Sequence, residues 1–170
     1  LFTGCYAATA ILAALHRRDR TGRGDWIDLA LFDTGVATTA NQALNYLASG
    51  TPPARMGNAH PNIVPYQVFP CADGHVILAV GNDGQFRRLC HLLGLPALAD
   101  DERFATNPDR LAHRETLCAT LADATGQWPK TDLLAACGTS GVPAGPINDM
   151  AEVFAEPQAM ARGLHIAPGG

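Results

Sequence analysis

Pro52, Pro53, Pro61 and Pro65, interleaved with Gly50, Gly57 and Asn58, forbid regular helix or strand over much of residues 49–65. A structureless stretch of that length inside a compact chain is a linker or a functional loop rather than an ordinary turn. It divides the sequence into residues 1–50, a connecting segment 51–65, and residues 66–170. Before the break, residues 3–18 are rich in Ala and Leu and hold no proline. They end in His16-Arg17-Arg18, as suits the negative end of a helix dipole. Thr21-Gly22-Arg23-Gly24 interrupts that helix. Residues 25–31 then alternate, Ile27, Leu29 and Leu31 against Trp26, Asp28 and Ala30, which predicts a strand. Asp33 is placed to cap a helix running to Ala48. Helix, glycine turn, strand, helix is the rhythm of an α/β domain with parallel strands.

After the break, residues 66–70 and 75–80 predict two strands joined at Ala72-Asp73-Gly74, a hairpin signal. Asn82 or Asp83 caps a helix through Leu93, which Gly94 ends. Residues 100–104 form a short turn. A helix follows over 107–125, with Leu111, Leu117 and Leu121 on its buried side, and another over 130–137. Gly141, Pro143, Gly145 and Pro146 pin residues 141–147 as an extended stretch. Asp149 starts a short helix to Phe154, and Pro157 a second to Arg162.

Composition removes several classes of function. Apolar residues make up 47% of the 170 and charged residues only 16%, which leaves ample apolar surface for a core and excludes disorder. No apolar run reaches the roughly 18–20 residues of a membrane span; the longest candidate stops at His16-Arg17-Arg18. A net charge of −4 argues against nucleic acid as a partner. Cys5, Cys71, Cys90, Cys118 and Cys137 are odd in number and scattered, so they predict buried free thiols in a reducing cytoplasm rather than disulfides or zinc. His16, His91 and His113 sit among Arg and Leu on predicted helices, and no metal is expected. The chain starts at Leu1 with no basic segment ahead of its apolar stretch. It ends on Pro168-Gly169-Gly170 in mid-loop, and the expectation is a piece cut from a longer gene.

Nucleophile and phosphate motifs are absent: there is no Gly-x-Ser-x-Gly, no P-loop and no Gly-x-Gly-x-x-Gly. Asp28 and Asp33 straddle a predicted strand end, where a cap and a polar face residue explain them better than paired catalytic carboxylates. Residues 57–67 are the best site candidate. They gather His60, Asn62, Tyr66 and Gln67 in a loop that prolines stiffen, and loops on rigid scaffolds carry much function. A purely structural crossover remains the alternative on these residues alone.

The ordered string of segments says more. Thr3-Gly4-Cys5-Tyr6-Ala7-Ala8 is followed by residues 11–18, Thr21-Gly22-Arg23-Gly24-Asp25-Trp26-Ile27-Asp28-Leu29 and Leu31-Phe32-Asp33. Then come Gly57-Asn58-Ala59-His60-Pro61-Asn62, Pro65-Tyr66-Gln67, Ala72-Asp73-Gly74, Ala79-Val80-Gly81-Asn82-Asp83 and Gly141-Val142-Pro143-Ala144-Gly145-Pro146-Ile147. This order resembles the class III CoA-transferase family, also called the CaiB/BaiF family, over nearly the whole chain. The resemblance implies an α/β fold: part of a Rossmann-like large domain in residues 1–50, the linker or active-site loop in 51–65, and a small α/β domain in 66–170. It implies an interlocked homodimer in the cytoplasm, with no membrane or nucleic acid partner. It implies CoA transfer from an acyl-CoA to a free carboxylic acid through an aspartyl intermediate, with the CoA thioester as substrate and no metal or covalently bound cofactor. The family's nucleophilic Asp precedes a pattern like Leu1-Phe2-Thr3-Gly4, so it is expected immediately before Leu1 and the chain carries no catalytic nucleophile of its own. Thr3 and Gly4 then lie at the helix N-terminus near the site. His60, Asn62, Tyr66 and Gln67 are the expected substrate-binding residues. The formyl-CoA transferases have a glycine run where this chain has His60-Pro61-Asn62-Ile63-Val64-Pro65, which is closer to the branch using dicarboxylate donors such as succinyl-CoA. The related 2-methylacyl-CoA racemases and a non-catalytic interaction module are the alternatives, although Thr3-Gly4 favours the transferases.

Overall fold

A computed structural model describes residues 1–165, and the expected ending at Pro168-Gly169-Gly170 lies outside them. The chain divides into two compact units, Leu1–Arg55 and Met56 onward.

The first unit is helical. Helix α1 (Phe2–Thr21) closes on Gly22, whose φ of 69° brings its N–H to Arg18 O at 2.7 Å. Only a residue without a Cβ adopts that conformation at no cost. The predicted strand at 25–31 does not form: no residue in 1–55 belongs to a strand, and 24–30 run without regular structure. Alternation marks two faces, but a strand needs a neighbour to take its N–H and C=O groups, and this unit supplies none. Arg17 instead holds Asp25 bidentately at 2.7 and 2.9 Å. Helix α2 (Leu31–Thr38) begins after Ala30, so Asp33 is not the cap. Its carboxylate sits in the first turn, where the helix dipole favours it. The single helix expected to reach Ala48 is broken. Thr38 and Thr39 donate their hydroxyls to Gly35 O and Val36 O, which competes with helical bonding. Ala40 then turns to φ 38°, and α3 (Asn41–Ser49) starts anew. Thr34 is the one buried side chain described in this unit, while Trp26, Leu31, Phe32 and Leu47 lie on its surface.

The second unit holds the core. Strands β1 (Tyr66–Cys71) and β2 (Gly74–Ala79) form the expected hairpin, and β3 (Ala144–Pro146) pairs with the other edge of β2. The sheet is antiparallel throughout, in the order β1-β2-β3. The turn falls on Ala72 and Asp73, neither with positive φ, and Gly74 opens β2. Asp73 Oδ1 accepts the backbone N–H of Lys130 at 2.7 Å, so the hairpin turn caps the start of α8 (Lys130–Ser140). Lys130 Nζ in turn reaches Glu152 at 2.8 Å and holds that carboxyl below the usual range.

Val76 and Leu78 of the central strand share one face and, with Val80 just past its end, are fully buried. Against them pack Phe86, Leu89 and Cys90 of α4 (Asp83–Leu92), Leu133 and Cys137 of α8, and Leu117 and Leu121 of α7 (Arg114–Thr125). Asn82 caps α4 by accepting the N–H of Gln85 at 2.9 Å. The connection runs through α5 (Pro96–Ala99) and a 3₁₀ turn, Glu102–Phe104. The helix expected over 107–125 is two, α6 (Asn107–Ala112) and α7. The break is at His113, where the backbone leaves helical geometry (φ −114°, ψ 25°) and both the N–H and the ring Nδ1 bond Asp109 O, at 3.1 and 2.9 Å. The last helices among the described residues are α9 (Met150–Ala155), opened by an Asp149–Glu152 capping box, and α10 (Pro157–Ala161). No described helix is long and apolar enough to cross a membrane.

Cys5 is exposed, whereas Cys71, Cys90 and Cys137 are buried. Burial disfavours the thiolate and pushes Cys90 up to about 12 and Cys137 up to about 11. A thiol raised in the folded state stabilises fully below its unfolded value and loses that contribution as pH rises toward the folded one. The urea midpoint is therefore expected to fall as pH climbs past about 9. In the Cys90→Ala variant, with a lower midpoint at neutral pH, that fall is shallower; an equally steep one contradicts the burial assigned here.

Candidate active site

Residues 57–67 leave the second unit's core and return to it as β1, so most of their backbone groups have no sheet to bond to. Five of them, the carbonyls of His60, Pro61, Asn62 and Val64 and the N–H of Val64, are bonded by side chains from α6 and α7. Asn107 takes both roles of its amide: Nδ2 donates to Asn62 O at 2.8 Å, and Oδ1 accepts the N–H of Val64 at 3.1 Å. Arg110 Nε donates to Val64 O at 2.8 Å. Arg114 donates one guanidinium nitrogen to both His60 O at 2.8 Å and Pro61 O at 3.2 Å. Asn58 Oδ1 accepts the N–H of Val68 at 2.9 Å, and Pro65 O accepts that of Val80. Val64 and Pro65 are buried. A surface loop with few core contacts is not what folds here: the segment is bolted to the core through its main chain.

Arg110 is the anchor. Its side chain is 1% exposed, its guanidinium lies 4.7 Å from the centroid of the Phe86 ring, and it donates also to Phe104 O at 3.0 Å and Asp83 Oδ1 at 2.7 Å. A buried cation is tolerated only when its donors are matched, and here carbonyls and a carboxylate match them. The Asp83 carboxylate is half exposed, so the carbonyl dipoles carry much of the compensation.

Within this brace the expected substrate-binding residues divide. His60 and Tyr66 stack, ring centroids 5.1 Å apart and planes at 21°, and the N–H of His60 donates to Tyr66 O at 2.9 Å. The N–H of Asn62 donates to His60 Nδ1 at 3.1 Å. A backbone N–H can only donate, so Nδ1 accepts and the neutral ring carries its proton on Nε2. Gln67 turns elsewhere and accepts from Cys118 Sγ on α7 at 3.5 Å. Thr3 and Gly4 belong to the first unit. They lie in the opening turn of α1, which has no side-chain cap and no acidic residue, so its N–H groups and positive dipole end are unopposed locally.

Asn107, Arg110 and Arg114 were not among the residues the sequence singled out. Their signal was phase: 107, 110 and 114 continue the helical stripe of Leu117 and Leu121 toward the N-terminus. Among the described residues no group of His, Cys, Asp or Glu is placed to hold a metal ion.

Fold and sequence together define the class. Residues 1–167 match CoA-transferase family III, and the chain belongs to that family. It is 58% identical over 166 residues to the succinate–glutarate CoA-transferase of Agrobacterium fabrum, covering 98% of this chain and 42% of that protein. It is 39% identical over 167 residues to the acetyl-CoA:oxalate CoA-transferase of Acetobacter aceti, covering 98% and 43%. A solved CaiB/BaiF family protein from Brucella suis superposes with a TM-score of 0.82 at 58% identity, over 100% of this chain and 45% of that one. The chain thus spans less than half the length of these relatives.

Replacing Arg110 by Ala or Met should destabilise the second unit by on the order of 3 kcal/mol, because buried carbonyls of Val64 and Phe104 lose their donors. Urea unfolding of wild type and variants measures it. A loss below about 0.5 kcal/mol, the size of an ordinary surface change, would remove Arg110 as the anchor.

Proposed function

We propose that this chain is part of an enzyme that moves CoA from a dicarboxylic acyl-CoA to a free carboxylic acid, with residues 57–67 forming part of the acid pocket. The observation that carries this reading is the 58% identity to a succinate–glutarate CoA-transferase across almost all of the chain. The oxalate-named relative at 39% identity makes oxalate a second acceptor worth testing. In the proposed enzyme, residues 1–50 belong to a Rossmann-like large domain, 66–170 form a small domain, and two subunits interlock in the cytoplasm.

The proposed reaction is covalent catalysis by an Asp carboxylate immediately before Leu1. The carboxylate attacks the thioester carbonyl and expels CoA thiolate, leaving a mixed anhydride. The thiolate attacks the aspartyl carbonyl, forms an aspartyl-CoA thioester and releases the donor's acid. The acceptor carboxylate then attacks that thioester, and the returning thiolate takes the acceptor's acyl group and restores the Asp. Each step develops negative charge on an acyl oxygen. The uncapped first turn of α1, at Thr3 and Gly4, supplies N–H groups and a positive dipole end to such an oxygen. His60 through Nε2–H, Asn62 and Tyr66 would hold the acid's carboxylate. Preorganised donors suit that task because little freedom is lost on binding. Gln67 is the weakest of the four, since it is spent on Cys118.

The test uses the full-length protein with succinyl-CoA, glutaryl-CoA, acetyl-CoA and formyl-CoA donors against free succinate, glutarate and oxalate. Transfer among the dicarboxylates is expected, as is its abolition when the Asp before Leu1 becomes Ala. A residue other than Asp or Glu at that position, or no transfer with any pair, would sink the assignment.

Asn62→Ala is expected to raise the KM for the acid by an amount equivalent to ~1–3 kcal/mol, the cost of one unmatched partner. The bonds from Asn62 described above run through its main chain and survive the truncation. Unchanged kinetics with clearly reduced stability would make the segment a structural crossover.

A further inference from the structure

Arg114 carries more charge than its structural duty needs. Two carbonyls could be held by a neutral donor, yet a guanidinium sits behind the loop, with no carboxylate within ion-pair distance among the described residues. Its other terminal nitrogen is buried with no acceptor. A buried donor left unmatched costs stability, so stability alone does not account for an arginine here.

The geometry of the bonds suggests what does. Pro61 O, which accepts from Arg114, belongs to the same peptide group as the N–H of Asn62, which donates to His60 Nδ1. A cation bonded to the carbonyl polarises that peptide and makes its N–H a stronger donor. The stronger bond into Nδ1 fixes the tautomer and draws density from the ring, so Nε2–H becomes the better donor. The second Arg114 bond, to His60 O, and the Tyr66 stack hold the ring's position.

We infer that Arg114 is a positioning residue that acts through the Pro61–Asn62 peptide to present His60 as a fixed, neutral Nε2–H donor to the carboxylate of the acid substrate. The role rests on the reading of residues 57–67 as the acid pocket. It adds that the loop's charge complement to an anion is stored on α7, one peptide group behind the residue that touches the ligand.

The experiment has two arms in the full-length protein. In the first, the ring ¹⁵N shifts of His60 are compared in wild type, Arg114→Met and Arg114→Lys. Wild type should show an acceptor-type Nδ1 and a protonated Nε2. The Met variant should move toward the averaged shifts of free histidine, and the Lys variant should return most of the way. In the second arm, kcat/KM for the acid is measured for Arg114→Met, His60→Ala and the double variant. Arg114→Met should cost about tenfold or more alone and less than twofold in the His60→Ala background, since coupled residues are not additive. Equal costs in both backgrounds overturn the inference, as do unmoved ring shifts. A loss of activity that tracks the melting temperature and is not restored by Lys also overturns it, by making Arg114 merely structural. If the full-length protein transfers no CoA, the proposed function fails, and the ring shifts still decide the role of Arg114.

Discussion

One buried guanidinium ties together parts of the second unit that are distant in sequence. Arg110 bonds Val64 at the end of the loop, Phe104 in the 3₁₀ turn and Asp83 at the start of α4, and it lies over the Phe86 ring from the same helix. A cation removed from water is unfavourable unless its donors are met, and removing any of those acceptors would leave charge uncompensated. Loop, turn and α4 therefore have to arrive together. The apolar core of Val76, Leu78, Leu89, Leu117 and Leu121 supplies the larger share of the burial and takes in Val64, but residues 60–63 lie outside it. The polar end of the same helical stripe holds their path.

The loop's rigidity consequently comes from an unusual source. Its prolines remove freedom in the unfolded chain, but the folded path is set by Asn107, Arg110 and Arg114 bonding its main chain. These bonds address backbone atoms, and the His60 ring adds one more by accepting the N–H of Asn62. The residues that hold the path and the loop they hold are 45 to 54 positions apart in the chain at Asn107–Asn62 and Arg114–His60.

The two units differ in kind. From Met56 onward the chain closes a core around a three-stranded sheet. In Leu1–Arg55, α1 buries no residue and Thr34 alone is buried among the described side chains of α2 and α3. An α1 whose first turn offers unmatched N–H groups is well suited to meet an anion, and the proposed aspartyl chemistry uses it in that way.

The hairpin, the caps at Asn82 and Asp149, and the stops at Gly22 and Gly94 were legible in the sequence because each depends on residues adjacent in the chain. The order of motifs also fixed the family. The breaks at Ala40 and His113 were not legible: at the first, Thr38 and Thr39 hydroxyls compete for helix carbonyls, and at the second the backbone of His113 leaves helical geometry, neither of which an apolar pattern registers. The alternation at 25–31 read as a strand, yet a strand exists only with a neighbour, and pattern cannot provide one. The loop's candidate ligands could be named from the sequence, but their arrangement could not. That the ring of His60 stacks on Tyr66 and accepts from Asn62, and that three polar residues more than forty positions away hold the path, follows from packing α6 and α7 against β1. Local chemistry wrote the elements; only long-range hydrogen bonding in a desolvated interior decided which polar groups face one another.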